Sequence, residues 1–377
     1  MRAILAEPGA KLLVYGDRRM GKTSALRVAI AEHAADGGLA CLADFSTATS
    51  HADLANRILG VATKVLGRRW RDVALDFAGR LGTSLDACID PISQLPTVSL
   101  RAGLRNAGAA EQRDTLARVV DSIEAICAQR GVSLGLVLDE FQEIHRLGGE
   151  EAEWHLRGVI QHHQHISYIV AGSRTHLIER MISPSGAFYK VFDVLAFGPI
   201  DTDILAAWID RSMTSGGVGT EGVGTGGVGR ELIRVAGPRT RDVIQLARKV
   251  FDIAVQEEDG AVNADLVGRA FSEVVQDESE PLQALWNSYS PAQENVLRAV
   301  AAGAAALTSA DTLQRFSLRS SAAATQSAAS LIEKGVLVQT APGSYRCDSP
   351  FQRGWVVTRA LPDMGIELPV TFAGPPS

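Results

Sequence analysis

Short apolar runs and amphipathic segments alternate along the first 200 residues of the chain. The amphipathic segments repeat apolar residues at helical spacing, as at 23–35, and residues 51–130 are predicted to be mainly helical. Runs that are apolar on both faces predict buried strands, and they lie at residues 12–15, 39–45, 134–140 and 166–172. Because these strands alternate with helices, the pattern indicates an α/β fold with a parallel sheet covered on both sides.

After Pro199 the pattern becomes helical, and no further strand is predicted before residue 281. Helices are expected at residues 201–213, 230–236 and 241–255. The segment 215–229 between the first two repeats Gly, Val and Thr. Since glycine loses much backbone entropy on ordering, we expect this repeat to be a flexible surface loop.

The C-terminal region has a third pattern. Residues 281–360 predict three helices followed by two short strands around a turn at Pro342 and Gly343, which is the element order of a winged helix. The patterns together predict four parts, namely an α/β domain at 1–200, a helical domain at 201–280, a winged helix at 281–360 and a tail at 361–377.

Composition excludes global disorder and a strongly basic nucleic-acid binder. Of the 377 residues, 46% are hydrophobic and 21% are charged, and the formal net charge is −6. Residues 281–360 nevertheless hold seven Lys or Arg against four Asp or Glu, which favours DNA locally. The expected recognition helix at 320–335 offers Thr325 and Gln326 but few cations, so double-stranded DNA and a protein partner both stay open.

Other residue types narrow the function classes further. The absence of a leader and of any apolar run of roughly 18 residues predicts a cytoplasmic protein that does not enter a membrane. The basic run around Trp70 is expected to be a charged helix surface. Wide spacing favours buried reduced thiols at Cys41, Cys88, Cys127 and Cys347. Poor ligand spacing favours solvated helix-end histidines over a metal site at His155, His162, His163 and His165.

The strongest chemical signal is the segment GDRRMGKT at residues 16–23, between a predicted strand and a predicted helix. It fits the phosphate-loop pattern G-x-x-x-x-G-K-[ST], whose amides surround an oxyanion. Lys22 is expected to reach the β and γ phosphates of a nucleotide, and Thr23 to bind Mg²⁺. The predicted nucleotide-binding residues are Gly16, Asp17, Arg18, Arg19, Met20, Gly21, Lys22, Thr23 and Ser24.

Two carboxylates follow the third predicted strand, in LVLDEFQEI at residues 136–144. Ligands bind at strand ends in such sheets, so we expect Asp139 to hold Mg²⁺ and Glu140 to be the catalytic base that activates water. Ser173 ends the next strand and is predicted either to position that water or to cap a helix. Arg239, before a later helix, is predicted either to contact the γ phosphate or to be an ordinary surface charge.

These segments together resemble a known family. GDRRMGKTS, LVLDEFQEI, IQHHQHISYIVAGSR and SYRCDSPFQRGWV resemble the archaeal-type AAA+/STAND P-loop ATPases, relatives of the origin-recognition ATPases that end in a winged helix. The resemblance covers residues 11–358. It implies a P-loop ATPase core, a helical lid, a winged helix and the cofactors ATP and Mg²⁺. It also implies that Ser173 is the sensor of the sheet and Arg239 the arginine of the lid.

The chain departs from this family in two places. Members usually carry an adenine-contacting element upstream of the phosphate loop, whereas fifteen residues precede Gly16 here. Many members also have an arginine shortly after a Phe-Tyr pair that reaches a neighbouring subunit, whereas Lys190 follows Phe188 and Tyr189 here. Lysine is a weaker substitute because it cannot bind two oxygens as a planar fork.

The sequence therefore predicts a nucleotide-driven switch that hydrolyses ATP to ADP and phosphate with Mg²⁺. Its winged helix would couple the switch to double-stranded DNA, to a protein partner or to further copies of the chain. The alternative is a nucleotide-gated regulator or assembly platform with negligible turnover.

Overall fold

The computed structural model describes residues 1–66, 85–89, 96–100, 108–173, 175–219, 226–257 and 261–367. The chain divides into two compact units, Met1–Gly198 and Pro199–Ser377. Within the described residues, no helix has both the length and the apolar surface needed to cross a bilayer.

The first unit is built on a five-stranded parallel sheet. In chain order its strands are β1 (Lys11–Tyr15), β2 (Leu39–Asp44), β5 (Leu134–Asp139), β6 (Ile166–Gly172) and β7 (Asp193–Ala196). Their order across the sheet is β2-β5-β6-β1-β7, so β1 and β5 flank β6. This order brings the carboxyl ends of β1, β5 and β6 side by side.

Helices cover both faces of this sheet. Leu13 packs with helices on one face, while its neighbours Leu12 and Val14 pack on the other, where Leu26 covers them. Alternation along a strand places adjacent side chains on opposite faces, which is why each strand is apolar throughout. The helices of this unit are α1 (Arg2–Ala6), α2 (Lys22–Ala35), α3 (His51–Leu66), α4 (Ala109–Arg130), α5 (Glu143–Ile160) and α6 (Thr175–Ile182).

The four strands predicted in the first unit are confirmed, but two other features differ from the prediction. The fifth strand, β7, was not predicted; it has only four residues, and all of them are exposed. The prediction of helix for 51–130 is wrong at β3 (Leu85–Ile89) and β4 (Pro96–Leu100), which pair as an antiparallel hairpin. Trp70 lies outside the described residues.

The second unit is helical up to residue 333 within its described part and then forms a hairpin. Strands β8 (Leu337–Ala341) and β9 (Ser344–Cys347) are antiparallel, with Gly343 in the turn at φ 79°. The helices are α7 (Thr202–Ser215), α8 (Gly227–Ala236), α9 (Thr240–Gln256), α10 (Ala264–Asp277), α11 (Ser279–Trp286), α12 (Pro291–Ala301), α13 (Ala310–Arg315), α14 (Ser321–Glu333) and α15 (Pro350–Trp355).

The predicted succession of three helices and a hairpin is present as α12, α13, α14, β8 and β9. Ser290 caps α12 in a capping box with Gln293, and Ser320 caps α14, so local sequence fixes where these helices begin. One apolar core runs through the whole unit, from Leu205 to Leu361. The assignment of residues 281–360 to a winged helix, and the boundary at 280, stay predictions.

The described residues of the Gly-Val-Thr repeat, 215–219 and 226–229, include buried positions, contrary to the expected flexible loop, and residues 220–225 lie outside the described residues. Val218 and Val228 are buried in the apolar core, and α8 already begins at Gly227. The valines supply enough apolar surface to offset the entropy lost by the glycines. The expectation of buried reduced thiols is confirmed at Cys41, Cys127 and Cys347, where burial raises the thiol pKa to about 12.

Candidate nucleotide-binding site

The loop between β1 and α2 needs its two motif glycines for backbone reasons. Gly21 has φ 96°, a left-handed conformation that side chains with a Cβ rarely adopt. At Gly16 a Cβ would overlap the carbonyl oxygen of Phe197. The backbone amide of Phe197 also donates a hydrogen bond to the carbonyl oxygen of Tyr15 at 2.7 Å. The loop is therefore clamped between the end of β1 and the residue that follows β7.

Lys22 is a buried cation at the start of α2. Only 6% of it is exposed, and its Nζ donates to the carbonyl oxygens of Gly16 at 2.7 Å and Asp17 at 2.6 Å. Burial lowers the pKa of Lys22, although the carboxylates of Glu140 and Asp139 act in the opposite direction. A desolvated ammonium group that contacts the loop carbonyls would gain from an anion placed beside it.

Thr23 joins this loop to the end of β5. Its Oγ1 donates to Asp139 Oδ2 at 2.6 Å, and the other carboxylate oxygen accepts from the amide of Glu140 at 2.9 Å. Asp139 is only 5% exposed, and burial raises its pKa, against the effect of these two hydrogen bonds. A hydroxyl and a buried carboxylate are hard oxygen donors, so this pair fits Mg²⁺.

Glu140 and Ser173 lie together, as the two adjacent strand ends require. Ser173 Oγ donates to Glu140 Oε2 at 2.7 Å, and Ser173 is buried at the end of β6. Glu140 itself has φ 54°, which is uncommon for a residue other than glycine and turns its side chain at the strand end. The structure thus brings the predicted catalytic base and the predicted sensor into direct contact.

Gln142 is a site residue that sequence reasoning did not single out. Its side chain is fully buried, and Nε2 donates to Glu140 Oε2, the oxygen that also accepts from Ser173. A Cβ at Gly172 would lie 2.9 Å from Gln142 Oε1, so the glycine that ends β6 makes room for the amide. The glutamine is the last residue of the segment DEFQ, two positions after the glutamate, but the sequence pattern does not show that its side chain turns back toward the glutamate.

The remaining predicted nucleotide-binding residues differ in exposure. Met20 is buried beneath the loop, so its side chain anchors the loop rather than facing a ligand. Arg18 extends from the loop to the end of β6, where its Nε lies 3.4 Å from Ser173 Oγ. The exposed members of the set are Asp17, Arg18, Arg19 and Ser24.

Arg239 belongs to the second unit, immediately before α9, and forms a buried ion pair there. It is 3% exposed and donates to the carboxylate of Asp348, itself 8% exposed and next to the last residue of β9. The charge of this arginine is thus engaged inside its own unit. Its predicted role as the lid arginine that contacts a γ phosphate stays a prediction.

The interpretation of the histidines as solvated is wrong for His163. Its side chain is 5% exposed and lies between the hydroxyl of Tyr168, 2.7 Å from Nδ1, and the carboxylate of Asp121, 2.9 Å from Nε2. Helix α4 supplies Asp121 and β6 supplies Tyr168, so burial depends on tertiary packing. Across the described ranges, no group of three or more His, Cys, Asp or Glu side chains is arranged to hold a metal ion.

Comparison with known proteins identifies the fold. No protein-family model matches the chain, and no curated protein sequence matches it. A Walker-type ATPase of Pyrococcus abyssi has a similar structure, with a TM-score of 0.60 and 14% identity over 94% of this chain and 92% of that chain. The ORC2 protein of Aeropyrum pernix, in ADPNP and ADP complexes, has a TM-score of 0.55 and 14% identity over 96% and 90% of the two chains.

At this low identity the similarity shows the fold, and the fold agrees with the sheet described above. The chain is an α/β protein with the parallel-sheet P-loop fold of these two ATPases, which confirms the α/β parallel-sheet class expected from the sequence. The helical lid and the winged helix stay predictions. The resemblance to the origin-recognition ATPases is therefore confirmed at the level of structure.

Proposed function

We propose that the protein binds ATP with Mg²⁺ at the phosphate loop and hydrolyses it to ADP and phosphate, acting as a nucleotide-driven switch. The observation that carries the proposal is the connected set of contacts from Thr23 to Asp139 and from Glu140 to Ser173. These contacts join the loop to two strand ends. They assemble an anion site, two oxygen donors for a cation and a carboxylate base within one region.

The chemistry assigned to each residue follows from its position. Lys22 and the amides of the loop would hold the phosphates, and Thr23 and Asp139 would hold Mg²⁺, which neutralises charge on the phosphates when bound. A water oxygen bonds to the γ phosphorus while the bond from that phosphorus to the ADP oxygen breaks. Glu140 accepts the proton of the water, and Ser173 keeps the glutamate aimed at it.

The partner would contact the C-terminal part of the chain. Helix α14 exposes Thr325 and Gln326, and its nearby cations are Arg319 before its first residue and Lys334 after its last. This surface suits either a DNA groove with few phosphate contacts or a protein. We propose that nucleotide state controls this contact, in a protein of the cytoplasm. The proposal also includes a second copy of the chain as the partner, which would form a homo-oligomer.

One observation favours a nucleotide-gated platform with negligible turnover as a second candidate. Glu140 Oε2 already accepts from both Ser173 and Gln142. Because this oxygen already accepts two hydrogen bonds, an attacking water must use the other carboxylate oxygen or displace one of these donors. With the glutamate held in this way, the site could bind ATP without hydrolysing it rapidly.

Phosphate release by the purified full chain distinguishes the two candidates. We expect turnover that requires Mg²⁺ and that changes on adding double-stranded DNA at low salt if DNA is the partner. Lys22→Ala should lose both nucleotide binding and turnover. If the wild type binds ATP with Mg²⁺ but releases no phosphate under either condition, the platform replaces the hydrolase.

A further inference from the structure

Arg18 is a loop residue whose side chain reaches the proposed catalytic groups. It is the second residue after Gly16, and its Nε lies 3.4 Å from Ser173 Oγ, which in turn donates to Glu140 Oε2 at 2.7 Å. One serine hydroxyl therefore separates the guanidinium from the proposed base. The following residue, Arg19, has φ 65°, so the chain turns sharply just after Arg18.

The charge of Arg18 is available for an anion. Within the described part of the chain, Arg18 forms no ion pair with a carboxylate, and it is exposed rather than packed. It also lies close enough to Lys22 to contribute to the lowered pKa of that lysine. Two like charges that face one site repel each other, and a phosphate group between them would relieve the repulsion.

We propose that Arg18 is a catalytic residue that acts in cis, its guanidinium binding the γ-phosphoryl oxygens beside Glu140 during hydrolysis. This inference rests on the proposed function. As the bond from the water oxygen to the γ phosphorus forms and the bond to the ADP oxygen breaks, negative charge spreads over the γ-phosphoryl oxygens. Arg18 stabilises that charge while Glu140 takes the proton of the water, so the products are ADP, phosphate and one proton.

A planar guanidinium suits this role better than an ammonium group. Arginine stays charged at all ordinary pH values and can donate to two phosphoryl oxygens at once. Because the cation comes from the same chain as the loop, a single chain contains all the groups that the reaction requires. Turnover per chain should then be independent of protein concentration.

The test compares Arg18→Ala and Arg18→Lys with Arg27→Ala, which removes an exposed arginine of α2 that lies outside the loop. Arg18→Ala should lower kcat by roughly 10³-fold, with Arg18→Lys between it and the wild type. The affinity for ADP should stay unchanged, which also reports correct folding. The ADP–aluminium fluoride complex, which imitates the transferring phosphoryl group, should bind far more weakly to Arg18→Ala than to the wild type.

Several outcomes would overturn the assignment. Wild-type kcat in Arg18→Ala would show that the guanidinium is not catalytic. Turnover per chain that rises with protein concentration would place the catalytic cation on a second copy. If the wild type itself hydrolyses no ATP, the proposed function fails, and the Arg18 assignment is then decided by aluminium fluoride binding alone, where equal affinity of Arg18→Ala and wild type would refute it.

Discussion

The hydroxyl of Thr23 donates a 2.6 Å hydrogen bond to Oδ2 of Asp139. This bond joins the first turn of α2 to the last residue of β5, across two elements that are more than 100 positions apart in sequence. The two oxygens are close enough to lie in the coordination sphere of one cation. The bond links the phosphate loop to the strand end that carries the proposed base, so binding and catalysis share one rigid connection.

Replacement of Asp139 by Asn should separate stability from function. Burial raises the pKa of Asp139, so the folded state binds its proton more tightly than the unfolded state does. Stability is thus undiminished below the unfolded pKa and falls as the pH rises through the folded pKa. At neutral pH, Asp139→Asn should have a higher Tm than the wild type without nucleotide, and should lose Mg²⁺-dependent hydrolysis.

Thermal unfolding between about pH 4 and pH 8 checks this prediction, because this range starts near the ordinary pKa of a carboxyl group and extends well above it. The Tm advantage of Asp139→Asn should shrink toward acid pH. Asp252→Asn, at an exposed position on α9, is the matched control and should leave the Tm unchanged. A lower Tm of Asp139→Asn at neutral pH would contradict the account.

Gln142 should act as a positioning residue for Glu140. Gln142→Met keeps the volume of the side chain but removes the amide that donates to Glu140 Oε2. We expect kcat to fall by about 10-fold, corresponding to the loss of one hydrogen bond to a charged group, while KM stays unchanged. Gln161→Met, on the exposed end of α5, is the control.

The pH dependence of activity in Gln142→Glu tests the same positioning role. A protonated Glu at position 142 can still donate to Glu140, whereas an ionised one repels it. The activity of Gln142→Glu relative to the wild type should therefore decline as the pH rises through the titration of the new carboxyl. A ratio that does not change with pH would mean that Gln142 has only a packing role.

The ion pair of Arg239 and Asp348 should stabilise the second unit even when no nucleotide is bound. Removing one member breaks a buried ion pair, which costs about 3–5 kcal/mol. Arg239→Met should therefore lower the denaturation midpoint of this unit strongly, and Arg239→Met combined with Asp348→Leu should recover most of the loss. An unchanged midpoint in Arg239→Met would show that the arginine does not hold this unit together.

Gly16→Ala should disable the loop without removing any chemical group. The added methyl would overlap Phe197 O, so either β7 or the loop must shift. We expect nucleotide binding to be lost together with some stability. Gly60→Ala is the control, because its Cβ would meet no atom within 4 Å in the middle of α3, and alanine there should stabilise the helix by up to about 1 kcal/mol. Normal nucleotide affinity in Gly16→Ala would contradict the assigned role.

The parallel sheet was predictable because each central strand is apolar on both faces. Strand β7 was not predicted: it has only four residues, Val194 and Leu195 are exposed, and among the described strands it pairs with β1 alone. The same limit applies to the site. The pattern of Lys22 and Thr23 specifies a phosphate loop by local sequence, whereas the contact of Ser173 with Glu140 depends on which strands are neighbours.

Gln142 and His163 show what local sequence could not supply. The glutamine contacts Glu140 because Glu140 adopts a left-handed conformation and Gly172 leaves space beside the amide. His163 is buried because Asp121, 42 positions away on a helix, contacts one ring nitrogen while Tyr168 of the following strand contacts the other. Both arrangements depend on tertiary neighbours that a periodicity pattern does not specify.

The central claim is that Glu140 is the base in a hydrolase, and single-turnover hydrolysis by Glu140→Gln tests it most directly. The variant keeps a side chain of the same size that can still contact Ser173, so ATP and Mg²⁺ should bind as in the wild type. We expect the rate of phosphate formation to fall by roughly 10²–10⁴-fold. Normal ATP binding with an unchanged hydrolysis rate would contradict the assignment of Glu140 and the mechanism built on it.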